Sequence, residues 1–222
     1  MSEANLDAKY IQMTQTPVES LICRLAVPTI ISNLITTFYN MADTFFIGKI
    51  STSASGAVGI AFAVMAAIQA VGFFFGQGSG NNISRLLGRQ ETDKAERLAA
   101  VGFYSALIGG ALIAATGLIF LKPLCILLGS TETILPYAMD YLKFILIGAP
   151  YMAASLVLNN QLRFEGSAFY GMIGLTTGAL INIVLDPILI FGFNMGISGA
   201  ALATILSQAV SFVWVLCFLT SG

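Results

Sequence analysis

The chain of 222 residues has the composition of a membrane protein, with 57% hydrophobic and only 9% charged residues. Soluble domains carry about 25% charged residues, so ten Lys and Arg with eleven Asp and Glu cannot solvate a surface of this size. The net charge of −1 gives no electrostatic reason for a nucleic-acid partner. Histidine is absent, which excludes histidine acid–base catalysis and histidine-ligated metal sites.

The chain divides into a polar start and a long apolar remainder. Residues 1–20 lack the apolar core and cleavage site of a signal peptide, and they are predicted to be a cytoplasmic lead-in. Residues 21–222 then hold six segments long enough, at ~1.5 Å per residue, to cross about 30 Å of hydrocarbon. We place these spans at 25–47, 57–83, 98–121, 136–158, 168–191 and 198–219. They are too long and too uniformly apolar to be transmembrane strands, so the predicted fold is an all-α bundle of six transmembrane helices.

The basic residues predict the orientation of the spans. Arg85, Arg89, Lys94 and Arg97 lie between the second and third spans. With the other basic residues on that side, they make seven of the ten Lys and Arg. Since the more basic side is normally cytoplasmic, both termini are predicted to be cytoplasmic. The segment between the third and fourth spans is predicted to lie at the outer interface.

Two aspartates occupy positions from which lipid would normally exclude them. Asp43 precedes Gly48 at the outer end of the first span by five residues, and Asp186 precedes Gly192 at the outer end of the fifth by six. An aspartate at the centre of a lone membrane helix costs ~2.5–3.5 kcal/mol, so such residues usually face a bundle interior or a wet cavity. Both carboxylates are therefore expected to face the protein interior. Since they precede the outer ends of their spans by similar numbers of residues, they should also lie at similar depth in the outer half of the membrane.

The fifth span and two other spans carry further polar residues near the same depth. Asn182 precedes Asp186 by four residues and shares its helical face. The inward-running sixth span places Thr204 and Gln208 on one face, and the inward-running fourth span places Tyr141 close to that layer. We expect these groups to converge on one polar pocket whose oxygen atoms suit H⁺ or Na⁺.

The first span adds a polar stripe and a possible bend. Thr36 and Asn40 lie on the same face as Asp43, although hydrogen bonding between helices is an alternative role for Thr36, Asn40 and Gln208. Pro28 in the first span and Pro187 in the fifth each remove a helical hydrogen bond. Both are hinge candidates, and a static kink is the simpler interpretation.

Three stretches, in chain order, resemble one protein family. They are YNMADTFFIGK in the first span, GQGSGNNISRLLGRQETDKAERLA after the second, and LRFEGSAFYGM followed by LINIVLDPILIFGFNMGISGAALATILSQ. All resemble multidrug and toxic compound extrusion (MATE) transporters. The resemblance implies twelve helices in two six-helix lobes that exchange drugs for H⁺ or Na⁺. It also implies a cation site at Asp43, Asn182, Asp186 and Thr204, with Tyr141 as a further member.

The resemblance gives the functional hypothesis. The chain would be the N-terminal lobe of a secondary antiporter in a bacterial or archaeal plasma membrane. It would be no enzyme, and it would need no cofactor besides the coupling ion. A small drug-like or cationic substrate, membrane lipid and a second six-helix lobe would be its partners. Two alternatives stay open: a lipid-linked oligosaccharide flippase of the same superfamily, and a channel or structural membrane subunit.

Overall fold

The computed structural model describes residues 15–221, and over this range the protein contains helices and no strand. The prediction of a cytoplasmic lead-in therefore lies largely outside the described residues. Seven α-helices and one π-helix have defined bounds within the range: α1 Val18–Gly48, α2 Thr52–Gly88, α3 Thr92–Ile119, α4 Leu121–Leu127, α5 Leu135–Phe164, α6 Ala168–Pro187, π1 Ile188–Gly192 and α7 Gly196–Ser221.

Six of these helices, α6 and π1 together counting as one, are long and apolar enough to cross a membrane. The prediction of six transmembrane helices is confirmed. The helices are longer than the predicted spans, as in α2, which extends beyond 57–83 at both ends. The apolar pattern of the sequence detects only the part of each helix that crosses the hydrocarbon. The helical hydrogen bonding of the backbone continues beyond it into the polar ends of the helix. Helix α4 falls in the segment predicted to lie at the outer interface.

Helix α5 is the centre of the bundle. It packs against α2 and α3 on one side and against α7 on the other, and most of its apolar stretch is buried. Helix α1 is the opposite case, because it packs mainly along α6 and almost none of its apolar stretch is buried. The protein therefore leaves α1 as its most peripheral membrane-spanning helix.

Glycines allow the helices to approach each other at backbone distance. A Cβ atom added at Gly110 of α3 would lie 2.7 Å from both the Ala149 carbonyl oxygen and the Pro150 Cα of α5. Small residues at such contacts permit the close packing on which helix association in lipid depends. The contact between α3 and α5 therefore requires glycine at this position.

The Gly110 contact gives a stability prediction. Gly110→Ala should destabilise the protein by about 1–3 kcal/mol, because the backbone of α5 must move to accept the methyl group. The matched control is Gly78→Ala in α2, where an added Cβ meets no atom within 4 Å. Melting temperatures in detergent test the pair, and equal values for both variants would contradict the packing argument.

A second set of contacts is polar and fully satisfied. The Gln161 amide of α5 donates to Ser79 Oγ of α2 at 3.1 Å and to the Ala99 carbonyl oxygen of α3 at 3.1 Å. Ser79 itself donates to the Phe75 carbonyl oxygen at 2.6 Å. Buried polar groups are normally paired in this way, so this junction is structural.

Candidate functional site

The two predicted carboxylates face each other between α1 and α6. Because α1 packs along α6, Asp43 and Asp186 lie close enough for their side chains to interact directly. Asp43 is 8% exposed and Asp186 is 0% exposed. Asp43 Oδ1 and both carboxylate oxygens of Asp186 are buried with no hydrogen-bond partner. The pair is therefore an acidic cluster to which no Lys or Arg among residues 15–221 is salt-bridged.

Asn182 extends the acidic pair by one turn of α6. It is 1% exposed, and neither atom of its amide group has a hydrogen-bond partner. The i,i+4 spacing puts it on the same helical face as Asp186. Asn182 therefore offers a free carbonyl oxygen one helical turn from Asp186.

Thr204 and Tyr141 close the site from α7 and α5. The Thr204 hydroxyl donates to the Ala200 carbonyl oxygen of its own helix at 3.0 Å, which leaves its lone pairs to accept a hydrogen bond or bind a cation. Tyr141 is buried against Thr204 and lies near Asp43 and Asp186. Four of the five predicted cation-binding residues, all but Asn182, are linked through these contacts.

Tyr39 is a member of the site that the sequence analysis missed. It lies one turn before Asp43 on α1, and its hydroxyl lies near Gln208 of α7. An aromatic side chain in an apolar span normally faces lipid or fills a contact between helices, so the residue type alone does not indicate a role in the site. The i−4 spacing from Asp43 is the signal that could have found it.

The predicted supporting residues have different outcomes. Gln208 reaches the site through Tyr39. Thr36 donates instead to the Ser32 carbonyl oxygen of its own helix at 2.8 Å. Asn40 is half-buried and makes no side-chain hydrogen bond to a described residue. The structure thus brings only Gln208 of this group into contact with the site.

The two hinge candidates differ in their local backbone. Pro28 lies inside α1, which stays helical around it, and the Ser32 hydroxyl donates to the Pro28 carbonyl oxygen at 2.8 Å. Pro187 ends α6 directly after Asp186 and is followed by π1, where the Phe193 amide donates to the Ile188 carbonyl oxygen at 2.9 Å. π-Helical turns occur mostly as short insertions, frequently at functional sites. No bending motion is visible at either proline, so the hinge role stays a prediction.

The chemistry of the site follows from its donor atoms. Two carboxylates with amide and hydroxyl oxygens suit a hard cation such as Na⁺, and a proton can satisfy the same carboxylates. Nowhere in the described part of the chain do three His, Cys, Asp or Glu side chains come together in a metal-binding cluster. Two adjacent buried carboxylates repel each other unless a cation or proton lies with them. The unpaired oxygen atoms therefore fit H⁺ or Na⁺, and the binding role remains a prediction.

Sequence comparisons identify relatives over almost the whole chain. The MatE family profile matches residues 28–188. Multidrug export protein MepA of Staphylococcus haemolyticus is 30% identical over 96% of this chain and 47% of the relative. An FAD transporter of Shewanella oneidensis is 32% identical over 90% of this chain and 45% of the relative. The chain spans about half the length of the curated relatives it matches.

Solved structures give the same correspondence in three dimensions. An outward-facing multidrug resistance MATE transporter of the MOP superfamily matches with a TM-score of 0.89 and 31% identity, over 94% of this chain and 46% of that protein. A second match, at a TM-score of 0.85 and 32% identity over 90% and 44% of the two chains, is a MOP superfamily transporter from Pyrococcus furiosus. Its description reports a binding pocket of reverse polarity. A MATE structure in the bent conformation matches at a TM-score of 0.88 and 31% identity, over 95% and 47% of the two chains.

Proposed function

Since the chain belongs to the MatE family, we propose that it forms one six-helix lobe of a multidrug exporter driven by H⁺ or Na⁺. Members of this family are transporters and not enzymes. The observation that carries the proposal is the buried pair of Asp43 and Asp186, whose oxygen atoms lack partners. The coupling ion would bind there, and the substrate would bind in a cavity shared with a second six-helix lobe.

The transport cycle rests on charge neutralisation between α1 and α6. With no proton or cation present, repulsion between the two carboxylates pushes α1 away from α6. A proton or Na⁺ between them removes the repulsion and draws Tyr39 of α1 towards Gln208 of α7. Apart from its contact with α6, helix α1 has little packing within the protein. The charge change can therefore bias the position of α1. Alternating access follows if one position of α1 opens the cavity outward and the other opens it inward.

The membrane orientation belongs to the same proposal. Both termini would be cytoplasmic, because the end of α2, the start of α3 and the turn between them carry the largest group of basic residues. Thr52 and Asp93 are exposed at opposite ends of the bundle. Cysteine at Thr52, but not at Asp93, should react with impermeant maleimide in intact cells, and the reverse pattern would contradict the orientation.

Ion-driven efflux from vesicles tests the proposed function. The complete transporter, reconstituted with a fluorescent organic cation, should move the dye faster when a proton or Na⁺ gradient is imposed. A flippase would translocate a lipid-linked sugar instead, and a channel would conduct ions without a counter-transported dye. Dye movement that is equally fast with and without both gradients would contradict the proposal.

A further inference from the structure

The buried polar atoms without partners follow one line through the bundle. Nine such side-chain atoms occur among the described residues, and eight of them lie on this line. The eight belong to Asp43, Asp186, Asn182, Ser211, Asn159 and Ser167. The ninth is Ser130, in the connection between α4 and α5. The line thus begins at the candidate ion site and ends at Ser167, just before α6 begins at the cytoplasmic end proposed above.

One side of this line is a face of α6 that consists of glycines over its cytoplasmic part. Gly171, Gly174 and Gly178 lie at i, i+3 and i+7, and Asn182 and Asp186 continue the same face. From Gly171 to Asp186 the face is roughly 22 Å long at the α-helical rise. It therefore reaches from the carboxylates to the last turns before the cytoplasmic end.

Helices α7 and α5 direct unpaired polar groups at the glycine face. Ser211 Oγ is 3.7 Å from the position that a Cβ would take at Gly178. Asn159 Oδ1 is 3.2 Å from the corresponding position at Gly171. Ser211 and Asn159 are 2% and 3% exposed, respectively. An unpaired buried polar group costs about 1–3 kcal/mol, so these groups need an explanation other than stability.

Two apolar side chains close the line between Ser211 and Asn159. At Gly174, a Cβ position would lie 2.9 Å from Val215 Cγ2 and 3.3 Å from Trp214 Cε3 of α7. The polar groups on either side of this constriction therefore have no continuous connection in the present conformation. Opening a connection would require α7 to rotate against the glycine face, where α6 presents no side chains.

We propose that this line of polar groups between α6, α7 and α5, called the seam below, is the route between the carboxylates and the cytoplasm. The coupling ion would pass along Asn182, Ser211 and Asn159 with Val215 and Trp214 as the gate, an inference that rests on the proposed function. Water in such a route needs two to four polar partners, which the unpaired atoms supply. An ion that enters from the outside could then leave on the cytoplasmic side without crossing the substrate cavity.

Cysteine accessibility tests the route without relying on transport. The complete transporter would carry Ser211→Cys, with Cys23, Cys125 and Cys217 replaced by Ala, in inside-out vesicles. A small charged methanethiosulfonate should modify this cysteine about tenfold faster than Ser79→Cys, a ratio equivalent to ~1.4 kcal/mol of barrier. Ser79 is the matched control, since it is a buried serine at similar depth whose hydroxyl is hydrogen-bonded. Equal rates at the two positions would overturn the route.

A second variant tests whether the route carries the ion. Asn159→Leu keeps the number and branching of the side-chain heavy atoms and replaces the amide group with apolar methyl groups. We expect ion-driven efflux to slow by about tenfold, equivalent to ~1.4 kcal/mol of barrier, in protein that still melts cooperatively above the assay temperature. Ser79→Ala should keep the wild-type rate. Wild-type efflux by Asn159→Leu would overturn the route.

The two proposals fail in different ways. If Asp43→Asn and Asp186→Asn abolish coupling while both seam tests are negative, only the route is wrong. If the carboxylate variants remain coupled, the ion site is wrong. Rapid labelling of Ser211→Cys would then still show a water-accessible seam, although not one that serves these carboxylates.

Discussion

Replacing Asp43 or Asp186 by Asn should reduce gradient-driven efflux to the rate measured without a gradient. Asparagine keeps the volume of aspartate but cannot carry the charge that a proton or Na⁺ neutralises. The two carboxylates lie beside each other, so either substitution removes the repulsion that depends on the ion. The remaining transport would no longer respond to an imposed H⁺ or Na⁺ gradient.

Stability should move in the opposite direction to activity in these variants. A buried charge without a partner costs free energy, and within the described part of the chain no Lys or Arg forms a salt bridge with either aspartate. The Asn variants should therefore melt at the wild-type temperature or above it in detergent. This outcome separates loss of coupling from loss of folding.

Asp140→Asn is the matched control for the carboxylate variants. Asp140 lies in the same outer part of the protein, on α5, but its side chain is exposed. This variant should transport at the wild-type rate and melt normally. If the Asp43 and Asp186 variants also export dye at wild-type rates under a gradient, the carboxylates serve only to hold the helices together.

Sequence periodicity was sufficient for the main features of this site. Span lengths located six helices, and counting residues from Gly48 and Gly192 put Asp43 and Asp186 at one depth. Contact between them required one further fact, that α1 packs along α6. The polarity of the two aspartates indicates this packing indirectly, because an aspartate in an apolar span is stabilised by facing the interior of the bundle rather than lipid.

Other features depend on packing that a sequence pattern does not show. Tyr39 belongs to the candidate site because α7 places Gln208 beside it. An aromatic residue in an apolar span does not indicate such a contact in the sequence. The π-helical turn after Pro187 likewise depends on how π1 meets α7, where a Cβ at Gly199 would lie 2.8 Å from the Leu189 carbonyl. The glycines of the α6 face are by themselves typical of close helix packing, and only the unpaired atoms opposite them indicate more.

Tethering α1 to α7 should abolish transport. Tyr39 lies beside Gln208 across these helices, and α1 otherwise packs mainly along α6 alone. If α1 must change position in each cycle, a covalent link here traps one state. The test uses Tyr39→Cys with Gln208→Cys in a transporter whose three native cysteines are replaced, together with a short bifunctional thiol reagent that a reductant can cleave.

The expected sequence of results is measurable efflux before linking, nearly complete loss after it, and recovery when the reductant cuts the tether. Each single-cysteine variant treated with the same reagent controls for modification alone. The double variant before linking controls for loss of the tyrosine hydroxyl and the glutamine amide. Because the link leaves Asp43 and Asp186 unchanged, a block by tethering would assign the ion's effect to movement of α1 rather than to the charge itself. Full efflux by the tethered protein would show instead that α1 can stay against α7 throughout the cycle, and the moving element would have to be sought in another helix.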